Sequence, residues 1–521
     1  MTNSRFAILS ILLLATASFL AQFAIEFSSE NLAASCIVFA SSLSIIGYMA
    51  WSKGLENNPL STFAIFGFCL TTQLGALIAQ SIYWTPLIKD LRQPLTTFGV
   101  LAIAQLIALC THMAYRLLSV KKNKPDSIAR SILKSLYIYQ IPSVNILWIL
   151  GLIGFIGFIF GYSGGTSTFA KVNQGIMFLA WAPYLIPMYI LQQGPTYCNR
   201  KLHFILLGCY ASLIVLLGMA VNARGIMLSG FITVALFALL STLRSQKKIS
   251  QSLIIKLLVG TIVLGALSIP LSDVATAMVI ARKARGTVSA TKMIEDTIYY
   301  VQQPSVLQAR REKDSTDART KVYDETYLAN PLLARLIETK FHDNTLYFAL
   351  SLDDKETNDL SQVTIDFIVA ILPTPLIELL DLKIDKDNLQ FSMGDYITNM
   401  SIGTPLGGYK TGSMLAQGLA LFGSSFVFVY ILMSYFMFRI MDLLTFNINN
   451  NHTMVSALGM LGIWKFFQYG LTAESIHYVL SNIFRVFPQN IIIYGGMYFL
   501  ALKLVQLFSV KRLPIATAVN R

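Results

Sequence analysis

Residues 202–243 read LHFILLGCYASLIVLLGMAVNARGIMLSGFITVALFALLSTL, two apolar runs joined by the turn Asn222-Ala223-Arg224-Gly225. Each run, Leu202 to Val221 and Ile226 to Leu243, is close to the ~20 residues a helix needs to cross a bilayer at ~1.5 Å per residue. So short a connection holds Arg224 at the membrane surface or just beneath it. Composition agrees with this reading. Of all residues 55% are hydrophobic and 13% charged, and mean hydropathy is +0.59, outside the range of water-soluble domains. The expected fold is an all-α polytopic membrane protein.

Apolar runs predict twelve spans. The first six are Phe6 to Ile25, Leu32 to Trp51, Ser61 to Ile82, Thr97 to Leu118, Ile141 to Gly161 and Ile176 to Leu191. Leu202 to Val221, Ile226 to Leu243 and Leu253 to about Leu271 follow. Ser413 to Ile440, Met454 to Thr472 and Asn490 to Val510 close the series. Arg5 before an apolar run resembles a signal peptide, but no small-residue cleavage site follows it, so the first run is expected to be a retained helix. The chain divides into spans one to nine (1–271), a long connection (272–412) and spans ten to twelve (413–521).

Lysines and arginines in the short connections set the expected orientation. One set of ends carries Arg5, Lys53, Arg116, Lys121, Lys122, Lys124, Arg130, Lys134, Arg200, Lys201, Arg244, Lys247, Lys248, Lys256, Arg439, Lys511 and Arg512. The other carries Lys89, Arg92, Lys171, Arg224 and Arg485. That asymmetry puts both termini in the cytoplasm and the Arg224 turn outside. The net charge of +13 is then mostly an orientation signal, and no nucleic-acid partner is expected. Cys36, Cys69, Cys110, Cys198 and Cys209 fall in spans or on the cytoplasmic side, so neither a disulfide framework nor a thiol metal site is indicated.

The long connection holds twenty of the 27 Asp and Glu residues. A structureless loop of that length is unusual, and such loops carry function, so a folded helical subdomain is expected outside. Ser272 to Gly286 should continue the ninth helix, with Arg282 and Arg285 on one face. Asn330, a plausible N-cap before Pro331 at the first helical position, should open a helix to about Leu350 with Arg335 and His342 on one face. Val363 to Leu380 contains Pro373 and Pro375 and reads as interfacial or re-entrant. Lys465, in the eleventh span, should face a partner or a cavity because a buried ammonium is costly.

Arginines at one membrane face suit a lipid-linked diphosphate. Its charge lies at headgroup depth, and the planar guanidinium fork donates paired hydrogen bonds to phosphate oxygens. The whole layout resembles the Wzy-type O-antigen polymerases, which join oligosaccharide repeat units, and their relatives the O-antigen ligases. The residues carrying the likeness are Asn222 to Leu228 leading into a span, and Arg282 with Arg285 at the start of the connection. A third is the return Gly403-Thr404-Pro405-Leu406-Gly407-Gly408-Tyr409-Lys410-Thr411-Gly412 followed by Phe422-Gly423. Members often carry an acidic residue in that return where this chain has Gly407-Gly408-Tyr409.

The resemblance implies a GT-C-like, metal-independent glycosyltransferase without cofactor in the bacterial inner membrane. It would join repeat units on an undecaprenyl diphosphate carrier at the periplasmic face, with inversion, and with a chain-length regulator as partner. Carried onto this chain, Arg224, Arg282, Arg285 and Arg335 would bind the diphosphate. Arg224 and Arg285 would also act in the transfer. His342 is the favoured base, with Asp324, Glu325 and Glu338 as carboxylate alternatives. A ligase passing glycan to lipid A core, or a flippase moving the carrier, are the competing expectations. A flippase should show a charged cavity running across the bilayer, an enzyme a cleft opening only outward.

Overall fold

The computed structural model describes residues 2–120, 128–161, 168–193, 200–248, 250, 270–282, 288–317, 323–328, 330–384, 386, 389–448 and 452–509. They form an all-α polytopic membrane protein. Among them, nine helices are long and apolar enough to span a bilayer: Asn3–Ile25, Ser29–Trp51, Pro59–Ile82, Pro94–Leu118, Val144–Gly161, Lys201–Ala220, Arg224–Arg244, Met414–Leu443 and Ile476–Leu507. Their ends follow ordinary helix chemistry. Ser28 accepts from the Asn31 N–H at the start of the second, and Pro59 and Pro94 open the third and fourth, where no intrahelical donor is needed. Sheet among the described residues is confined to the hairpin Thr445–Ile448 with His452–Val455.

Two of the twelve expected spans differ. The sixth is broken into Thr168–Ile176, a 3₁₀ stretch Met177–Leu185 and Ile186–Gln193. Pro183 lies inside that stretch and can donate no backbone hydrogen bond. The stretch presses against the fifth span so closely that a Cβ on Gly154 would stand 2.0 Å from the Ala180 nitrogen, the close approach small residues permit in membranes. The eleventh is not one helix either: the strand His452–Val455 leads into two short helices, Ala457–Leu461 and Ile463–Tyr469, which meet at Gly462. Of the ninth, Leu253 to Leu271, all but the last two residues lie outside the described residues, and a helix Pro270–Ala281 follows.

Hydrogen bonds show which helix ends share a face. On one face Gln80 donates to the Tyr327 carbonyl, the Arg92 N–H to Asp343, and Asn222 to the Met278 carbonyl. On the opposite face the Asn3 N–H donates to the Lys247 carbonyl and Gln246 to Glu56. The first group of contacts belongs to the long connection, and its side is called the loop face below.

The connection itself is helical: Ala290–Val301, Pro304–Asp317, Pro331–Leu336, Thr339–Ala349, Asp354–Val369, Thr374–Leu379 and Met393–Ile402. The helix expected from Asn330 to Leu350 is two helices, because the Glu338 N–H leaves the helical ladder to donate to the Thr71 carbonyl at 2.8 Å. Thr71 lies in the π turn Leu70–Leu74 of the third span, and Tyr327, Leu328 and Ile337 pack with Ala76, Leu77 and Phe98 in one core. The connection is therefore wedged into the spans.

Candidate functional site

The Arg224 turn is built by Asn222. Helix Arg200–Ala220 ends as the Ala223 N–H reaches back to the Gly218 carbonyl at 2.8 Å, which requires Asn222 to adopt a left-handed conformation, φ 49°. Asparagine tolerates this better than other non-glycine residues. Its side chain is buried and donates to the Met278 carbonyl at 2.9 Å, so the turn is tied to helix Pro270–Ala281, the residue after which is Arg282. Two substitutions separate these roles. Asn222→Gly keeps the backbone and loses the tie, about 1 kcal/mol, whereas Asn222→Ala adds a left-handed penalty of about 1–2 kcal/mol. Thermal unfolding should rank wild type above Asn222→Gly above Asn222→Ala.

The tie brings guanidinium groups together. Arg335 and Arg282 both act electrostatically on Arg224, with Glu325 as a weaker opposite charge. Arg224 is half-buried, while Arg282 and Arg335 are exposed. Among the described residues none of the three forms an ion pair. Arg335 is steered by neutral contacts instead, with Nη1 3.4 Å from Thr411 Oγ1 and its guanidinium 5.5 Å above the Phe341 ring. Cations gathered without paired carboxylates repel one another, and an incoming anion relieves that repulsion.

Of these cations Arg335 lines a cavity of about 400 Å³, within the usual range for ligand sites. Arg335, Lys465, Gly225 and Tyr478 line it, and it continues along Ser229, Thr233, Met437 and Leu444. The walls are the spans Arg224–Arg244, Met414–Leu443 and Ile476–Leu507 together with the two broken segments. Broken helices suit this place, since irregular backbone within a membrane is tolerated where it lines a cavity. Lys465 faces that cavity, its ammonium 5.7 Å above the Tyr478 ring.

Carboxylates flank Arg335. Glu338 is 3% exposed and accepts from Gln468 at 2.9 Å and from the Tyr469 hydroxyl. Burial pushes its acid from 4.5 up to about 8, with Arg335 pulling the other way. The unfolded chain would release this proton near 4.5 and the folded chain only near 8, so Glu338 costs stability as pH rises through that window. Glu338→Gln should abolish that decline in a pH series of thermal unfolding while leaving acid-side stability unchanged. Glu474, in the short link before Ile476, is half-buried. Burial raises its acid and Arg335 lowers it. Nothing in its sequence surroundings marked it, because the chain separation from Arg335 hides their proximity.

Of the residues singled out in the sequence, Arg224, Arg282 and Arg335 come together, and Arg285 lies outside the described residues. His342 does not join them at the surface. It is 2% exposed, its Nδ1 lies 2.8 Å from Ser413 Oγ, and burial lowers its pKa to about 4. Its helix is docked against Met414–Phe422 and the fourth span, which buries the imidazole. Asp324, half-buried, is committed to the Thr326 hydroxyl and N–H. The return turn is held from a neighbouring helix: Asp395 accepts from the Tyr409 N–H at 2.8 Å and the Lys410 N–H at 3.2 Å.

Compared with family models, with curated proteins and with solved structures, the chain finds no match.

Proposed function

We propose that this protein is a glycosyltransferase that polymerises oligosaccharide repeat units carried on undecaprenyl diphosphate, working at the periplasmic face of the bacterial inner membrane. The observation that carries the reading is an apolar cavity walled by membrane helices and lined by Arg335, an arginine that acts, with Arg282, on Arg224. A carrier lipid needs both at once, cations at headgroup depth and a greasy slot leading inward. In this reading the loop face is outside, in keeping with the sparse lysines and arginines of its short connections.

The arginines bind the donor's diphosphate and stabilise the charge that develops as it leaves, a task that needs no covalent intermediate. The hydroxyl of a second repeat unit attacks the anomeric carbon from the opposite side and inverts it. Glu474, accessible and beside Arg335, takes the hydroxyl proton in place of His342. The buried Glu338 stays protonated at neutral pH and keeps the Arg335 corner from gaining a second fixed negative charge.

Purified protein with lipid-linked repeat unit alone should yield a ladder of lengthening products. Transfer only to added lipid A core would mark a ligase and overturn polymerisation. One variant tests the cavity itself. A Cβ on Gly225 meets no atom within 4 Å, so Gly225→Ala should be silent, whereas Gly225→Phe fills the mouth and should raise KM for the carrier substrate about tenfold with folding intact.

A second reading, a lipid flippase, is favoured by one observation. A separate cavity of about 520 Å³ lies at the other end of the same helix, lined by Phe237, Leu240 and Arg244. The loop-face cavity reaches Leu458 and Leu461 and the second cavity reaches Met460, all on the short helix Ala457–Leu461. A fluorescent carrier lipid that changes leaflet in proteoliposomes without forming product would favour transport.

A further inference from the structure

We infer that the cavity at the face opposite the loop is a seat for one phospholipid whose headgroup carries both a phosphate and a primary amine. The cavity, about 520 Å³, is lined by Glu56, Arg244 and Gln246 on its polar side and by Phe237, Leu240 and Met188 on its apolar side. Arg244 is the last residue of its span, and Glu56 belongs to the short helix Gly54–Asn57 between the second and third spans. Both charges therefore sit where one membrane face meets water.

The two charges line one space and do not pair with each other. Arg244 Nη2 donates to the Thr453 carbonyl, and its Nε is buried without an acceptor. Glu56 Oε1 accepts from Gln246 Nε2 at 2.9 Å. The guanidinium lines the cavity and forms no ion pair among the described residues, so a phosphate oxygen entering there meets its charge through a charge-assisted bond. The same ligand then meets the Glu56 carboxylate, which repels a purely anionic headgroup and attracts an ammonium.

The amine must carry a hydrogen, as the primary amine of an ethanolamine headgroup does: an ammonium N–H can donate to a carboxylate oxygen, whereas a quaternary choline has no hydrogen to donate. The occupant is a lipid and not a small soluble zwitterion because of the other wall. Leu240 and Phe237 lie four and seven residues before Arg244 on the same helix face, so apolar surface runs from the guanidinium toward membrane depth. This site is independent of the loop-face chemistry, and an occupied seat closes the route that the flippase reading would need.

The test uses the full-length protein in micelles, with native mass spectrometry and thermal unfolding after adding phosphatidylethanolamine, phosphatidylcholine or phosphatidylglycerol. One ethanolamine lipid per chain should be retained and should raise the unfolding temperature most. Glu56→Gln, on a half-exposed side chain, should cut ethanolamine retention roughly tenfold and shift preference toward the anionic lipid. Ser241→Trp, which fills the cavity from an exposed position, should lose the lipid and keep the fold even where Arg244→Gln does not fold. Equal retention of the three lipids, a Glu56→Gln protein that binds as wild type, or displacement of the ethanolamine lipid by a prenyl diphosphate would each overturn the proposal. The last result would assign the cavity to the carrier instead.

Discussion

Arg224→Ala lowers polymerisation by about 10²- to 10³-fold, the usual consequence of removing one preorganised group that meets developing charge. The argument rests on how the side chain is held. It starts the helix Arg224–Arg244 directly after a left-handed Asn222 and is half-buried beside two like charges. Such an arrangement is unfavourable without a ligand, so alanine should leave the unfolding temperature unchanged or raised while activity is lost. Arg224→Lys keeps the charge but not the planar fork, and should recover only part of the rate. Product ladders read by gel, alongside unfolding curves for the same samples, check this. An Arg224→Ala protein that retains wild-type chain growth would remove the central role of this residue.

Glu474→Gln has the second-largest expected effect, a loss of about 10²- to 10⁴-fold in kcat with little change in KM for the donor, as for a general base. The wild-type rate should climb with pH through an inflection above the ordinary carboxylate range, because burial raises the Glu474 acid even though Arg335 draws it back. Only the ionised form accepts a proton, so the acid side of the profile is the limb that Glu474→Gln should flatten. His342→Gln, by contrast, should leave that limb in place, since His342 is enclosed against Ser413. If the histidine variant loses the limb and the glutamate variant keeps it, the assignment reverses.

Most spans with uninterrupted apolar character were legible to within a few residues, since length and hydropathy are what a bilayer selects, though the last begins at Ile476 and not at Asn490. The sixth and eleventh were not, because hydropathy reports solvent preference and is indifferent to hydrogen-bond period. Pro183 and Gly462 sat inside runs that looked like the others. At the site, arginines near a membrane face could be read from residue type and loop length, and Arg224, Arg282 and Arg335 do assemble. The burial of His342 was not legible for a related reason. It belongs to a hydrophilic stretch, yet Thr345, Asp343 and Asn344 around it are buried as well, their polar groups satisfied inside the wedge. Glu474 and Lys465 gain their positions from contacts between distant segments, which no local pattern announces.

The loop-face cavity is about 400 Å³ in extent, room for the carrier end of a substrate and no more. Sugars beyond the first would remain in water, untouched by protein, whether they number few or many. On the proposed function such a cavity is no ruler: each round of growth would look the same to it, and a uniform product length would have to be imposed by something that holds the polymer from outside.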